Sequence, residues 1–192
     1  MENYVDHNSF ASNPGEVCLS EHKFAQLRDD ILHLSSLKKF YYNKQFRRIN
    51  QYLLNGDTQP AIVVSVSPLI ISAYSDEMDA VVFLRFPEKL ADIYHLSTGM
   101  RLVTSNIYFE GDKIAEDIQT GDAYLKRYSD YTPIVQLFLC DAENEILNRT
   151  ALFDEQIWYK VMRMTEQKAS DNPKPRNGFY YLTKFSPLFL IF

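Results

Sequence analysis

Four histidines, two cysteines and one tight group of carboxylates are the side chains of this 192-residue chain best suited to chemistry. His7, His22, His33 and His95 lie far apart, and none neighbours another. Cys18 and His22 stand four residues apart, a spacing that puts two side chains on one helix face. A zinc site takes about four ligands, so the pair reads as a free thiol beside a solvated histidine near a helix start, and no metal is expected. The six glycines are scattered singly, so no phosphate-cradling loop is present. Neither a Gly-x-Ser-x-Gly elbow nor a His-Glu-x-x-His pair occurs. No cofactor is expected and no catalytic residue is assigned.

The carboxylates are Asp76, Glu77 and Asp79, separated only by Met78. Hard oxygen ligands this close suit Ca²⁺ or Mg²⁺, and paired carboxylates serve as acid and base. A calcium loop, however, spreads its ligands over about a dozen residues and bends at a glycine. That pattern is missing, so the group reads as a charged turn that keeps an apolar hairpin in solution. Arg85 carries a charge in a strand otherwise fit for burial, so it either reaches the rim or pairs with an acid inside. Asp76, Glu77, Asp79 and Arg85 are the candidate partner-binding residues, and an enzyme site assembled from distant residues near Arg85 is the alternative. Residues 31–56 contain Lys38, Lys39, Lys44, Arg47 and Arg48 and no acid. Lys44, Arg47 and Arg48 with interleaved aromatics suit phosphate and base contacts, a nucleic-acid alternative. Those aromatics follow the apolar stripe of a helix, so the cations read as its solvated face.

The net charge of −5, with five cations gathered in residues 31–56, leaves the remainder strongly acidic. An acidic body disfavours nucleic acid and favours a basic protein partner. Absence of catalytic signatures points the same way, to a non-enzymatic protein-binding or regulatory domain of inhibitor or immunity-like type acting through an acidic, aromatic surface. Thirteen Tyr and thirteen Phe against one Trp read first as a ring-filled core. No apolar run follows Met1 and none reaches the ~18 residues of a membrane span, so a cytoplasmic protein with two reduced thiols is expected. In such a compartment the acceptor triplet Asn148-Arg149-Thr150 carries no glycan.

Residues Ala61 to Phe86 are the most β-branched stretch and read as two central strands joined at Asp76–Asp79. Ile62, Val64 and Val66 share one parity; after Pro68 the apolar set moves to Leu69, Ile71 and Ala73, which predicts a kink at Ser67-Pro68. Val64 and Val82 are expected in the core. Ser20 is a helix cap ahead of Phe24, Leu27, Ile31 and Leu34, and Ser35-Ser36 offers a second cap before a helix over 37–54. Tyr42, Phe46, Ile49 and Leu53 form its stripe, and Asn55-Gly56 stops it. A short helix after Pro87, strands over 100–109 and 132–140, and a helix capped by Asp154 follow. The fold class is therefore α+β: a mainly antiparallel sheet of about four to six strands with two N-terminal helices and one C-terminal helix packed on it. Residues 1–19 read as a flexible arm and 20–192 as one domain, comprising a helical segment 20–55, sheet core 61–140, helix 153–168 and an apolar segment 179–192. The run Pro187–Phe192 is expected to dock as a last strand or to cover a core face.

Overall fold

The computed structural model describes residues 11, 13–33, 41–171 and 173–183. In chain order its helices are α1 (Glu21–Gln26), α2 (Tyr42–Asn55), α3 (Lys89–Ile93), α4 (Glu143–Asn148), α5 (Glu155–Ser170) and α6 (Tyr180–Thr183). Its strands are β1 (Asp57–Val66), β2 (Leu69–Ser75), β3 (Ala80–Phe86), β4 (Arg101–Phe109), β5 (Ile118–Thr120), β6 (Asp130–Val135) and β7 (Arg176–Asn177). The fold is α+β.

Local chemistry explains the helices. The Ser20 hydroxyl accepts from the Lys23 N–H at 3.2 Å, satisfying one of the orphan donors of α1. The helix then widens into a π-helical turn over Leu27–Ile31. Asp154 caps α5 in the same way, accepting from the Ile157 N–H at 2.9 Å. In α2, Ile49 and Leu53 are fully buried, Tyr42 and Phe46 half-buried, and Asn43, Lys44, Arg47 and Gln51 exposed, which is the stripe and opposite face that the spacing predicts. The cap at Ser35-Ser36, Lys38, Lys39 and the run Pro187–Phe192 lie outside the described residues.

The sheet runs β5-β3-β2-β1-β4-β6, with neighbours on that path antiparallel, and β7 joins β3 in parallel. The apolar stretch forms three strands rather than two. At Ser67-Pro68 the chain reverses instead of kinking, and Val66 pairs with Leu69 across a two-residue loop. Pro68 has no N–H to give a ladder, and the loop is where none is needed. The irregularity lies earlier, as a bulge between Val63 and Ser65. It sets Val64 at the surface half-buried, against expectation, while Val82 is fully buried as expected. Ahead of the bulge the core parity of β1 is also the other one: Ala61 and Val63 are 0% exposed and Ile62 packs against the opposite cluster, whereas past the bulge Val66, half-buried and paired with Leu69, packs against the main core. The fourth strand expected over 132–140 ends at Val135 and passes into a 3₁₀ turn at Gln136–Phe138.

Both sheet faces are covered. The main core takes Ala61, Val63, Ile71, Ala73, Val82, Leu84, Leu102 and Val135 from the strands, together with Phe24, Ile49 and Leu53 from the helices. A smaller cluster joins α5 to the opposite face through Tyr74, Val81, Val161 and Met164. The Thr165 hydroxyl donates to the Ser72 hydroxyl at 2.7 Å in that interface. Phe86, Phe138 and Phe179 pack edge to face or tilted, so rings do fill much of the core. Arg176 pairs with Asp117 and Asp130 and donates to the Tyr131 carbonyl, fastening the C-terminal segment to β6.

Within the stretch assigned to the arm, Asn13–Leu19 lies along the body. Gly15 N–H donates to the Gly56 carbonyl, Glu16 N–H to that of Leu54, and Thr58 N–H to that of Asn13; Leu19 is buried. Cys18 is exposed and Cys140 buried, both as free thiols, and burial pushes the Cys140 thiol up to about 12. Among the described residues no helix is long and apolar enough to cross a membrane.

Candidate functional site

The strand pairings bring most of the acidic loops to one end of the sheet. The turn 76–79 joins β2 to β3, Thr120 at the end of β5 pairs with Ala80, and Phe109 at the end of β4 pairs with Asp130. Glu110 and Asp112 follow β4 and Asp122 follows β5, so these three leave the sheet at the end that carries Asp76, while Glu116 lies in the connection ahead of β5; all five are exposed. Lys113, Lys126 and Arg127 are exposed in the same loops, as are Phe109, at 36%, and Leu125, at 82%.

The turn itself is fully hydrogen-bonded. Asp76 N–H donates to the Gln59 side-chain oxygen (3.3 Å), Glu77 N–H to the Asp76 carboxylate (2.7 Å), Met78 N–H to the Ser75 hydroxyl (3.1 Å) and Asp79 N–H to the Asp76 carbonyl (3.0 Å). All four amide donors are thus satisfied, and Met78 is driven into the core at 0% exposure. Asp76 is left exposed and Glu77 half-buried on a backbone whose amides are all hydrogen-bonded within the protein.

Asp79 has a different place from its two neighbours. It adopts a left-handed conformation at φ 42° and is 2% exposed. Its carboxylate accepts from Lys160 Nζ at 2.6 Å, the Tyr74 hydroxyl at 3.1 Å and the Ala123 N–H at 2.8 Å. Burial acts to raise its pKa, but Lys160, Ala123 and Tyr74 together outweigh it and hold the carboxyl below the usual aspartate value. Gly121 packs so close that a Cβ there would lie 2.5 Å from the Asp79 carboxylate. Asp79 anchors α5 and the 121–123 loop to the turn, and is not presented to a partner. Asp79→Ala would strand the Tyr74 hydroxyl and Ala123 N–H and is expected to cost about 1–3 kcal/mol, read as a shift of the urea midpoint. Lys160, 41% exposed as a side chain, can turn to water, so Lys160→Met should cost less. An equal loss in the two variants would contradict this division of roles.

Beneath the turn lies a second carboxyl that sequence inspection passed over. Asp57, 4% exposed, accepts from Gln59 Nε2 at 2.6 Å, the Tyr108 hydroxyl at 3.2 Å and the Asn13 N–H at 3.4 Å. The Ser75 hydroxyl donates to Tyr108 at 3.3 Å, so the network reaches the base of the turn. Burial first, and the Asp76 charge second, push Asp57 up to about 7, against the three hydrogen bonds that favour its charged form. Its parity with Gln59, Ala61 and Val63 was the available signal: once that face is the core, Asp57 must point inward.

The other candidates are not gathered here. Arg85 is exposed near the far end of β3, where its backbone pairs with Ile70 and Asn177; among the described residues it pairs with no buried acid, and it lies away from the turn. Lys44 and Arg47 lie on the exposed face of α2, whereas Arg48 Nη2 donates to the Tyr181 carbonyl at 2.9 Å and is turned inward. Among the described residues no three His, Cys, Asp or Glu side chains gather as a metal site. Comparison with protein-family models, curated proteins and solved structures found no match for this chain.

Proposed function

We propose that this chain is a non-enzymatic binding or regulatory domain, inhibitor- or immunity-like, that offers the acidic end of its sheet to a basic protein partner, in the cytoplasm. The observation that supports it best is the turn 76–79. Every amide of the turn is used internally, so the exposed Asp76 carboxylate is held in place before any partner arrives. Preorganised charge loses little entropy on association and speeds encounter with a surface of opposite sign. Glu110, Asp112, Glu116 and Asp122 extend the field, and Phe109 and Leu125 add apolar area within it. Arg85 belongs to the opposite end of β3 and takes no part in this surface, and the inward turn of Arg48 removes one cation from the nucleic-acid alternative.

Two charge-reversal pairs test the reading: Asp76→Lys with Glu77→Lys, and Lys44→Glu with Arg47→Glu. Asp76, Lys44 and Arg47 are exposed and Glu77 half-buried, so both variants should fold; the acidic pair gives up the Asp76–Glu77 N–H bond at the surface and removes the Asp76 charge that opposes ionisation of Asp57. The wild type should retain a basic protein from a cell lysate in a salt-sensitive manner. Rebinding of that purified protein should weaken at least about tenfold in the acidic pair and stay within about twofold in the basic pair. Retention of nucleic acid by the wild type, lost only in the basic pair, would overturn the proposal.

A further inference from the structure

We infer that the outward face of α5 is a self-association surface, on which a second copy of this chain lies antiparallel across a two-fold axis. The inward face of the helix is taken: Trp158, Val161, Met164, Thr165 and Lys168 are buried. Tyr159, Met162, Arg163, Glu166 and Ser170 recur three or four residues apart and form the opposite stripe. A solvated helix face carries polar side chains, yet this one holds Tyr159 at 59% exposure and Met162 at 42%. Tyr, Met and Arg, grouped here, are the types enriched at protein interfaces.

Charge on the stripe selects the occupant. Three charges of α5 are used within the chain: Glu155 by Arg101, Lys160 by Asp79 and Lys168 by the Asp117 carbonyl. The other two, Arg163 and Glu166, are exposed, and neither forms an ion pair with a described residue although they stand three apart on one helix. One unpaired cation and one unpaired anion on the same stripe make it self-complementary, as a two-fold interface requires. Two copies of α5 laid antiparallel about a point midway between positions 164 and 165 set Arg163 of each against Glu166 of the other. The same register sets the Tyr159 ring over the small side chains of Ala169 and Ser170. A parallel pair would set like charges together, and a partner of one strong sign would be repelled by one of the two residues.

The contact is small. From Tyr159 to Ser170 the helix rises about 17 Å. One face of that length covers less than the ~800 Å² per partner of a standard interface, so the dimer is weak and reversible. Its ion pairs lie at the surface, so salt loosens it. None of these residues belongs to the acidic end of the sheet, so the inference stands or falls apart from the proposed partner surface.

Sedimentation equilibrium of the full chain at about 50 mM ionic strength tests it. The wild type is expected to pass from monomer towards dimer as its concentration rises from about 5 to about 500 µM. Arg163→Glu and Glu166→Arg each bring like charges together at both contacts, and each should weaken the dimer at least about tenfold. Both positions are exposed, so neither variant endangers the fold. Mixing the two variants restores opposite charges at both contacts. The equimolar mixture should therefore dimerise at least about tenfold more tightly than either variant alone. Tyr159→Ser, which removes the central ring, should weaken the wild-type dimer severalfold. A wild type that stays monomeric up to about 500 µM, a dimer unchanged by both charge reversals, or a mixture no tighter than its components would overturn the inference.

Discussion

Val82→Asp is expected to leave the domain largely unfolded at room temperature, whereas Val64→Asp is expected to leave it folded. The two valines sit in one apolar stretch, but Val82 is 0% exposed and Val64 is half-buried at the β1 bulge. Val82 pairs with Ala73 on one side and Ile118 on the other, all three buried. A carboxylate there finds no donor in reach and pays its full desolvation, several kcal/mol against a total stability of about 5–15 kcal/mol. At Val64 the charge can turn to water, and the loss should be about 1 kcal/mol. Urea melts followed by circular dichroism distinguish the two. A Val82→Asp protein with the wild-type midpoint would refute this description of the sheet.

The second large effect is a dependence of stability on pH traceable to Asp57. In the unfolded chain its pKa is near 3.8; in the fold burial and Asp76 push it up to about 7. Below about pH 4 both states hold the proton and Asp57 costs nothing. Between 4 and 7 the unfolded chain releases the proton while the folded protein keeps it, so stability falls as pH rises. Above about 7 both are ionised and the penalty is constant, at most about 4 kcal/mol. The effect is isolated by comparing the wild type with Asp57→Asn, since Asp79 and Asp117, held low by Lys160 and Arg176, contribute equally to both. The wild type should lose a few kcal/mol relative to Asp57→Asn between pH 5 and pH 8. Parallel pH profiles for the two proteins would show that Asp57 is ionised across that range.

Much of the local structure was legible in the chain. Ser20 and Asp154 cap helices because a short oxygen-bearing side chain just before an amphipathic run has free N–H groups to meet. The stripe of α2 and the inward parity of Leu69, Ile71 and Ala73 follow from periods of 3.6 and 2. The reversal at Ser67-Pro68 was harder to see, because that loop carries neither Gly nor Asn, the usual signal of a two-residue hairpin. The inner face of β1 was not legible either, since Ile62 and Val64 are as apolar as Ala61 and Val63. Only the seating of α5 across the opposite face decided it.

The site divides in the same way. Exposure of Asp76 and Glu77 follows from their being charged residues in a turn. The separation of Arg85 from that turn follows once β3 is known, because six residues of strand span about 20 Å. Asp79 and Asp57 owe their roles to partners remote in sequence: Lys160 and Tyr108. Sequence acts on its near neighbours through backbone propensity and side-chain period, and these set helices, strands and caps. The environment of a buried charge is set by whichever distant segments pack around it, and that was decided only when the sheet closed against α2 and α5.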